Sequence, residues 1–146
     1  MQTLDPPARN WNLNVVRTPE PRKLRTAWVS DLHLGTRNSK AEAFLEFLRD
    51  HDFETLYIVG DLIDVWQMRR GIYWPQQHND VIQKLLRKSR KGTRIVYIPG
   101  NHDEFLGGFC GYYGHIAIAN HFVHTAADGR RILVSSVLGG VQRSRE

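Results

Sequence analysis

The sequence predicts an α/β fold with parallel strands and its chemistry gathered along one edge of the sheet. Three short apolar runs, residues 26–30, 56–59 and 94–98, each end in a turn rich in Gly, Asp or Asn. Two stretches of helical period separate them: Ala41, Phe44, Leu45 and Leu48, then Val81, Ile82, Leu85 and Leu86. Asp61 follows Asp31 by 30 residues and Asn101 follows Asp61 by 40, each interval matching one strand–helix–strand repeat. Right-handed crossovers make such strands parallel and bring their C-terminal ends to one edge.

Composition bounds the rest. A chain of 146 residues has room for one domain with a core, and 41% apolar with 24% charged residues is ordinary for a globular protein. No apolar run approaches the roughly 18 residues that span a bilayer, and the N-terminus lacks an apolar signal-peptide region. A single cysteine, Cys110, fits a reducing compartment, so a cytoplasmic location is expected. The net charge of +5 favours anionic partners. Much of it sits at Lys84, Arg87, Lys88, Arg90 and Lys91, with Arg22, Lys23 and Arg25 near the N-terminus. Without interleaved aromatics, that cluster reads as a solvated helix end whose cations complement the helix dipole, not as a nucleic-acid surface.

In chain order, residues 1–24 read as a flexible basic arm containing Pro6, Pro7, Pro19 and Pro21, with a weak edge-strand pattern at Trp11, Leu13, Val15 and Val16. Residues 25–146 form the domain. The strand at 26–30 closes on Asp31-Leu32-His33. Ser39 with Glu42 three residues on is a capping-box signature for the first helix, which stops near His51. The strand at 56–59 ends at Gly60-Asp61, where glycine permits a sharp turn. Residues 66–77 are irregular. A second helix covers 79–90, with Gly92 in place for a left-handed cap. The third strand, 94–98, meets Pro99-Gly100-Asn101-His102-Asp103. Glycines 107, 108, 111 and 114 mark a flexible connection. Strands follow at 115–119, 122–125 and 131–134, the last two joined by a two-residue turn at Asp128-Gly129.

Three strand ends therefore deliver Asp31 and His33, Asp61 and Asp64, and Asn101, His102 and Asp103 to one crevice. Asp31 and His33, two apart in an extended segment, project to the same side and can grip one ion. The two oxygens of Asp61 can bridge a pair of cations, and Asn101 adds a neutral oxygen. Mixed oxygen and imidazole ligation points to Mn²⁺, Fe²⁺ or Zn²⁺ before Ca²⁺. Two such ions activate water and clamp phosphate oxygens during in-line displacement. His102 is the candidate catalytic acid, and Asp64 and Asp103 are its candidate partners, orienting a histidine or the loop.

Asp31-x-His33, Gly60-Asp61-x-x-Asp64 and Gly100-Asn101-His102-Asp103 resemble three motifs of the calcineurin-like metallophosphoesterases. More narrowly, Ser30-Asp31-Leu32-His33-Leu34, Gly60-Asp61-Leu62-Ile63-Asp64-Val65-Trp66 and Asp128-Gly129-Arg130-Arg131-Ile132-Leu133-Val134 resemble the UDP-2,3-diacylglucosamine pyrophosphatase group. The resemblance implies an α/β sandwich, of which this chain holds the N-terminal portion. It implies two Mn²⁺ ions, with Asp31, His33 and bridging Asp61 at one and Asp61 with Asn101 at the other. It also implies a phosphorylated small-molecule or lipid-linked nucleotide-sugar substrate, cleaved at its pyrophosphate in lipid A synthesis, and peripheral contact with the cytoplasmic face of the inner membrane.

Two departures stand out. His102 occupies a position where the lipid A enzyme usually has arginine. The family also continues past the strand at 131–134 into further histidine ligands, whereas here no histidine follows His124. The tail looks like the product of a truncation or frameshift. With four ligand residues left, the expectation is weak, single-ion binding, poor turnover and an exposed apolar surface.

Overall fold

The structure is a computed structural model that describes residues 19–136. The arm and its weak edge strand lie, up to residue 18, outside the described residues, as does the tail from residue 137. A parallel sheet carries the fold. Its strands are β1 (Arg22–Val29), β2 (His51–Val59), β3 (Arg94–Ile98), β4 (Gly111–Tyr113) and β5 (Ile116–Ile118), in the order β1-β2-β3-β5-β4. All neighbours pair parallel except β4, which runs antiparallel to β5. Helices α1 (Ala41–Asp50), α2 (Val65–Met68) and α3 (Gln76–Arg90) lie among them, and β6 (His121–Thr125) with β7 (Arg131–Ser135) forms a separate hairpin. The architecture is the expected α/β one.

Alternation along the strands explains the layers. Leu56 and Ile58 of β2, with Ile95 and Tyr97 of β3, face a core built with Phe44, Leu45 and Leu48 of α1 and Val81 and Leu85 of α3. Their neighbours Tyr57, Val96 and Ile98 face the other way and pack with Val134 and Phe122 of the hairpin. Near-continuous apolar runs are what a sheet covered on both faces requires. On the hairpin's outer side Val123 and Leu133 remain exposed, Leu133 by 65%, and Ile132, on the same face as Val134, is also 43% exposed.

Several boundaries differ from the sequence expectation. β1 begins at Arg22 and β2 at His51, because the two pair in register from Arg22↔His51 onward. Polar starts such as Arg-Lys and His-Asp hide a strand whose ladder neighbour, not its composition, fixes its length. The capping box does not form: α1 starts at Ala41 after Lys40. Ser39 instead accepts from the Ala41 N–H at 3.2 Å and donates to the Leu32 carbonyl at 3.0 Å. Within the expected irregular stretch lies α2, capped by Asp64 accepting from the Gln67 N–H at 2.9 Å. The hairpin turn is longer than two residues: Ala126 and Arg130 still pair, and Gly129, at φ 84°, closes a three-residue loop.

The buried face of α3 is also rotated. His78, Val81, Leu85, Lys88 and Ser89 are buried, while Leu86 is 47% exposed. Lys88 belongs inside because its Nζ reaches the His51 carbonyl at 2.6 Å and Asp52 at 2.8 Å across the start of β2.

Candidate metal centre

Three loops meet at the C-terminal edge of the sheet, and backbone hydrogen bonds stitch them together. The His33 and Leu34 N–H groups donate to the Asp61 and Leu62 carbonyls, each at 2.9 Å, and Asp64 returns a bond to Leu34 at 2.7 Å. Leu34 and Ile63 thereby form an isolated parallel bridge. The Val65 N–H donates to the His102 carbonyl at 3.1 Å, tying the second loop to the third.

Asp103 completes the join. Its fully buried carboxylate accepts from the N–H groups of Asp61, Leu62 and Ile63 at 3.2, 2.7 and 3.3 Å, from the Gly100 N–H, and from the Tyr97 hydroxyl. Burial, with the Asp103 carboxylate beside it, pushes the Tyr97 hydroxyl far above the ordinary phenol value, so Tyr97 stays a proton donor. Gly100 is the other constraint. A Cβ there would lie 2.6 Å from Asp61 Oδ1 and 2.8 Å from Gly60 Cα, so only glycine lets the two loops touch.

On this frame the candidate ligands cluster. Asp31, His33 and Asp61 each offer a ligand atom within 4.8 Å of the others, close to what one cation can span at about 2.1 Å per bond. The same three are, among the described residues, the non-glycine residues with positive φ: 56°, 49° and 52°. Asp and His tolerate that left-handed region better than most residues, yet it still costs about 1 kcal/mol or more at each. Backbone strain confined to three convergent ligand candidates is a mark of a functional site. The donor set suits a divalent cation.

The histidine tautomer follows from its partner. His33 Nδ1 lies 3.2 Å from Asp64 Oδ2, and a carboxylate can only accept, so the proton is assigned to Nδ1. Nε2 then carries the lone pair and faces Asp31 Oδ1 at 3.7 Å. A carboxylate that orients a ligating imidazole in this way is the usual outer partner of a metal-binding histidine.

Asp64 serves two rings. Its Oδ2 also lies 3.0 Å from His102 Nδ1, which is shut away from solvent and set off the hydrogen-bond line. His33, Asp64 and His102 make a second cluster of potential ligands. Burial pushes Asp64 upward, but the contacts with His102, the Gln67 N–H and His33 outweigh it and hold its carboxyl below the ordinary value. His102 is shifted up, chiefly by Asp64 and against a smaller effect of burial. The Trp66 ring lies over His102 with centroids 4.6 Å apart. The His102 N–H donates to Asp61 Oδ1 at 2.9 Å, which places Asn101 between two residues that both touch Asp61.

His78 belongs to none of the three motifs. It is buried in α3, and its Nδ1 accepts the Gly35 N–H at 3.0 Å, anchoring the first loop to the helix. Extending the helical period one turn back from Val81 to the residue after Pro75 reveals it, since proline favours a helix start. Tyr73 and Trp74 edge against its ring.

A family model described as calcineurin-like phosphoesterase matches residues 24–140. Proteins called UDP-2,3-diacylglucosamine hydrolase are among the similar relatives. That of Shewanella pealeana is 39% identical over 58% of this chain and 35% of its own length. That of Ectopseudomonas mendocina is 41% identical over 56% and 35%. That of Pseudomonas savastanoi pv. phaseolicola is 36% identical over 73% and 43%. The chain therefore spans well under half the length of the curated relatives it matches.

Proposed function

Since the chain belongs to the calcineurin-like phosphoesterase family, a family of hydrolases that use a divalent metal, we propose that its three-loop site hydrolyses a phosphate ester or anhydride with Mn²⁺. The observation that carries this is the convergence of Asp31, His33 and Asp61, all in left-handed backbone, within 4.8 Å. These three would hold one cation, and Asp61 with Asn101 would hold a second. Cations bound there supply a Lewis acid for the phosphoryl oxygens and lower the pKa of attacking water.

The chain's own residues do the rest. Asp64 fixes His33 through Nδ1 and supports the positive charge of His102 through the other ring. Asp64 shifts the pKa of His102 upward, which favours the protonated ring, and His102 is the group that would donate a proton to the leaving oxygen. Asp103 takes no part in the chemistry; it sets the distance between the Asp61 and His102 loops. Trp66 packs against the ring of the acid and helps to hold it in place.

The substrate we assign is the pyrophosphate of a lipid-linked nucleotide sugar such as UDP-2,3-diacylglucosamine, supported by the names of the relatives. Such a substrate would bring the protein to the cytoplasmic face of the inner membrane. A second reading, a catalytically weak member, rests on the ligand set: among the described residues Asp31, His33 and Asp61 cluster for one cation, while the second is assigned to Asp61 and Asn101 alone.

Hydrolysis of bis(p-nitrophenyl) phosphate with and without Mn²⁺ separates the two. We expect Mn²⁺-dependent turnover that falls on the order of a hundredfold or more in Asp61→Asn and in His102→Ala. Activity indifferent to Asp61→Asn would refute the site. Absence of turnover beside intact Mn²⁺ binding would favour the weak member.

A further inference from the structure

A cavity of about 700 Å³ adjoins the candidate metal centre, lined by His33 and Asp64 and, further out, by Arg37, Arg70 and Tyr73. His102, Trp66 and Arg69 border a different cavity on the other side of α2. The larger cavity is far bigger than a single phosphate group needs and falls in the range of small-molecule sites.

Its charge is opposite to that of the metal centre. Arg37 comes from the loop after β1 and Arg70 from just past α2. Among the described residues neither guanidinium is paired with a carboxylate. Arg37 is nonetheless placed, its guanidinium 4.7 Å from the centre of the Tyr73 ring. Stacking on an aromatic face positions a guanidinium while leaving its edge N–H groups free for an oxyanion. His78 holds both ends of this wall, accepting from Gly35 and packing against the Tyr73 ring.

We propose that this cavity is an anion subsite in which Arg37 and Arg70 hold a second phosphoryl group of the ligand, next to the one at the metal centre. The proposal rests on the phosphoesterase reading for the identity of that neighbouring group. It favours diphosphate-bridged substrates over simple monoesters, since a monoester has nothing to place between the two arginines. Tyr73 acts as a positioning residue for Arg37.

The test is calorimetric titration of inorganic pyrophosphate into protein freed of metal with EDTA, at low ionic strength. Without metal, Asp31, Asp61 and Asp64 repel anions, so binding reads the arginine cavity alone. Binding should weaken about tenfold in Arg37→Ala and in Arg70→Ala, the loss expected for one charge-assisted phosphate contact. Tyr73→Leu should weaken it several-fold. Lys84→Ala, on a remote face of α3, should leave it unchanged, with circular dichroism confirming the fold of each variant. No binding by the wild type, equal binding by both arginine variants, or an equal loss in Lys84→Ala would overturn the subsite. Failure of the phosphoesterase reading looks different: arginine-dependent pyrophosphate binding persists while Mn²⁺-dependent hydrolysis is absent.

Discussion

Gly100 and Asp103 flank Asn101 and His102, and each fixes Asp61 by a different physical route. Gly100 does so by absence, since any side chain would occupy the space of Asp61 Oδ1. Asp103 does so by acceptance, drawing N–H groups of both loops onto one buried carboxylate. The ligand candidates themselves were legible in the sequence, because Asp, His and Asn placed just after apolar strands have few other reasons to recur at βαβ spacing. The division of labour among the acids was not legible. Asp64 and Asp103 follow their motif neighbours alike, and only the folded loops decide which carboxylate meets imidazoles and which meets backbone N–H groups. The difference is measurable. Asp103→Ala strands several buried donors and should cost about 3 kcal/mol of stability in urea unfolding. A loss below about 1 kcal/mol would mean that water replaces the carboxylate and that Asp103 is not the join between the loops.

Helix α3 shows how an element is read correctly in kind and wrongly in phase. The pattern Val81, Ile82, Leu85, Leu86 fits a helix, and a helix is present, but the true inward stripe also takes in His78 and Lys88. Polar residues enter it because each finds a partner at the far end of its reach: Gly35 for His78, and His51 with Asp52 for Lys88. Partners on other elements leave no trace in local periodicity. Short α2 escaped for a related reason, since one turn capped by a buried Asp64 has no period to detect. The burial of His78 gives α3 a pH signature. Burial holds its pKa below the ordinary histidine value of about 6.5. Below that value the unfolded chain binds more protons than the folded one, so stability should fall as pH drops from about 7 toward the folded pKa. His102, shifted the other way, contributes stability at low pH that is lost as pH rises. Comparing wild type with His78→Gln, whose amide oxygen can still accept the Gly35 N–H, isolates the His78 contribution. Urea unfolding at pH 7.5 and 5.5 should show a smaller acid loss in the variant. Equal losses would place the pH sensitivity elsewhere.

At the scale of the molecule, the parallel sheet brings three strand ends together and the stitched loops hold carboxylates closer than they would sit by choice. Asp31, His33 and Asp61 adopt left-handed backbone, and Asp31, Asp61 and Asp64 gather around one imidazole. Strain and like-charge repulsion are tolerated only because the core on both faces of the sheet over-determines the loops. A cation that binds the folded site and not the unfolded chain should offset both costs, adding about 2.7 kcal/mol at a hundred times its dissociation constant. Mn²⁺ should therefore raise the unfolding midpoint and EDTA should reverse the rise. Asp31→Asn sharpens the argument, because asparagine tolerates the left-handed region as well as aspartate does. It removes one charge from the cluster without disturbing the backbone, so the metal-free variant should be as stable as the metal-free wild type or more so. With Mn²⁺ the order should reverse, the wild type gaining the larger shift. If Asp31→Asn weakens the metal-free protein and keeps the full Mn²⁺ shift, the loops are not held against repulsion and the cation binds elsewhere.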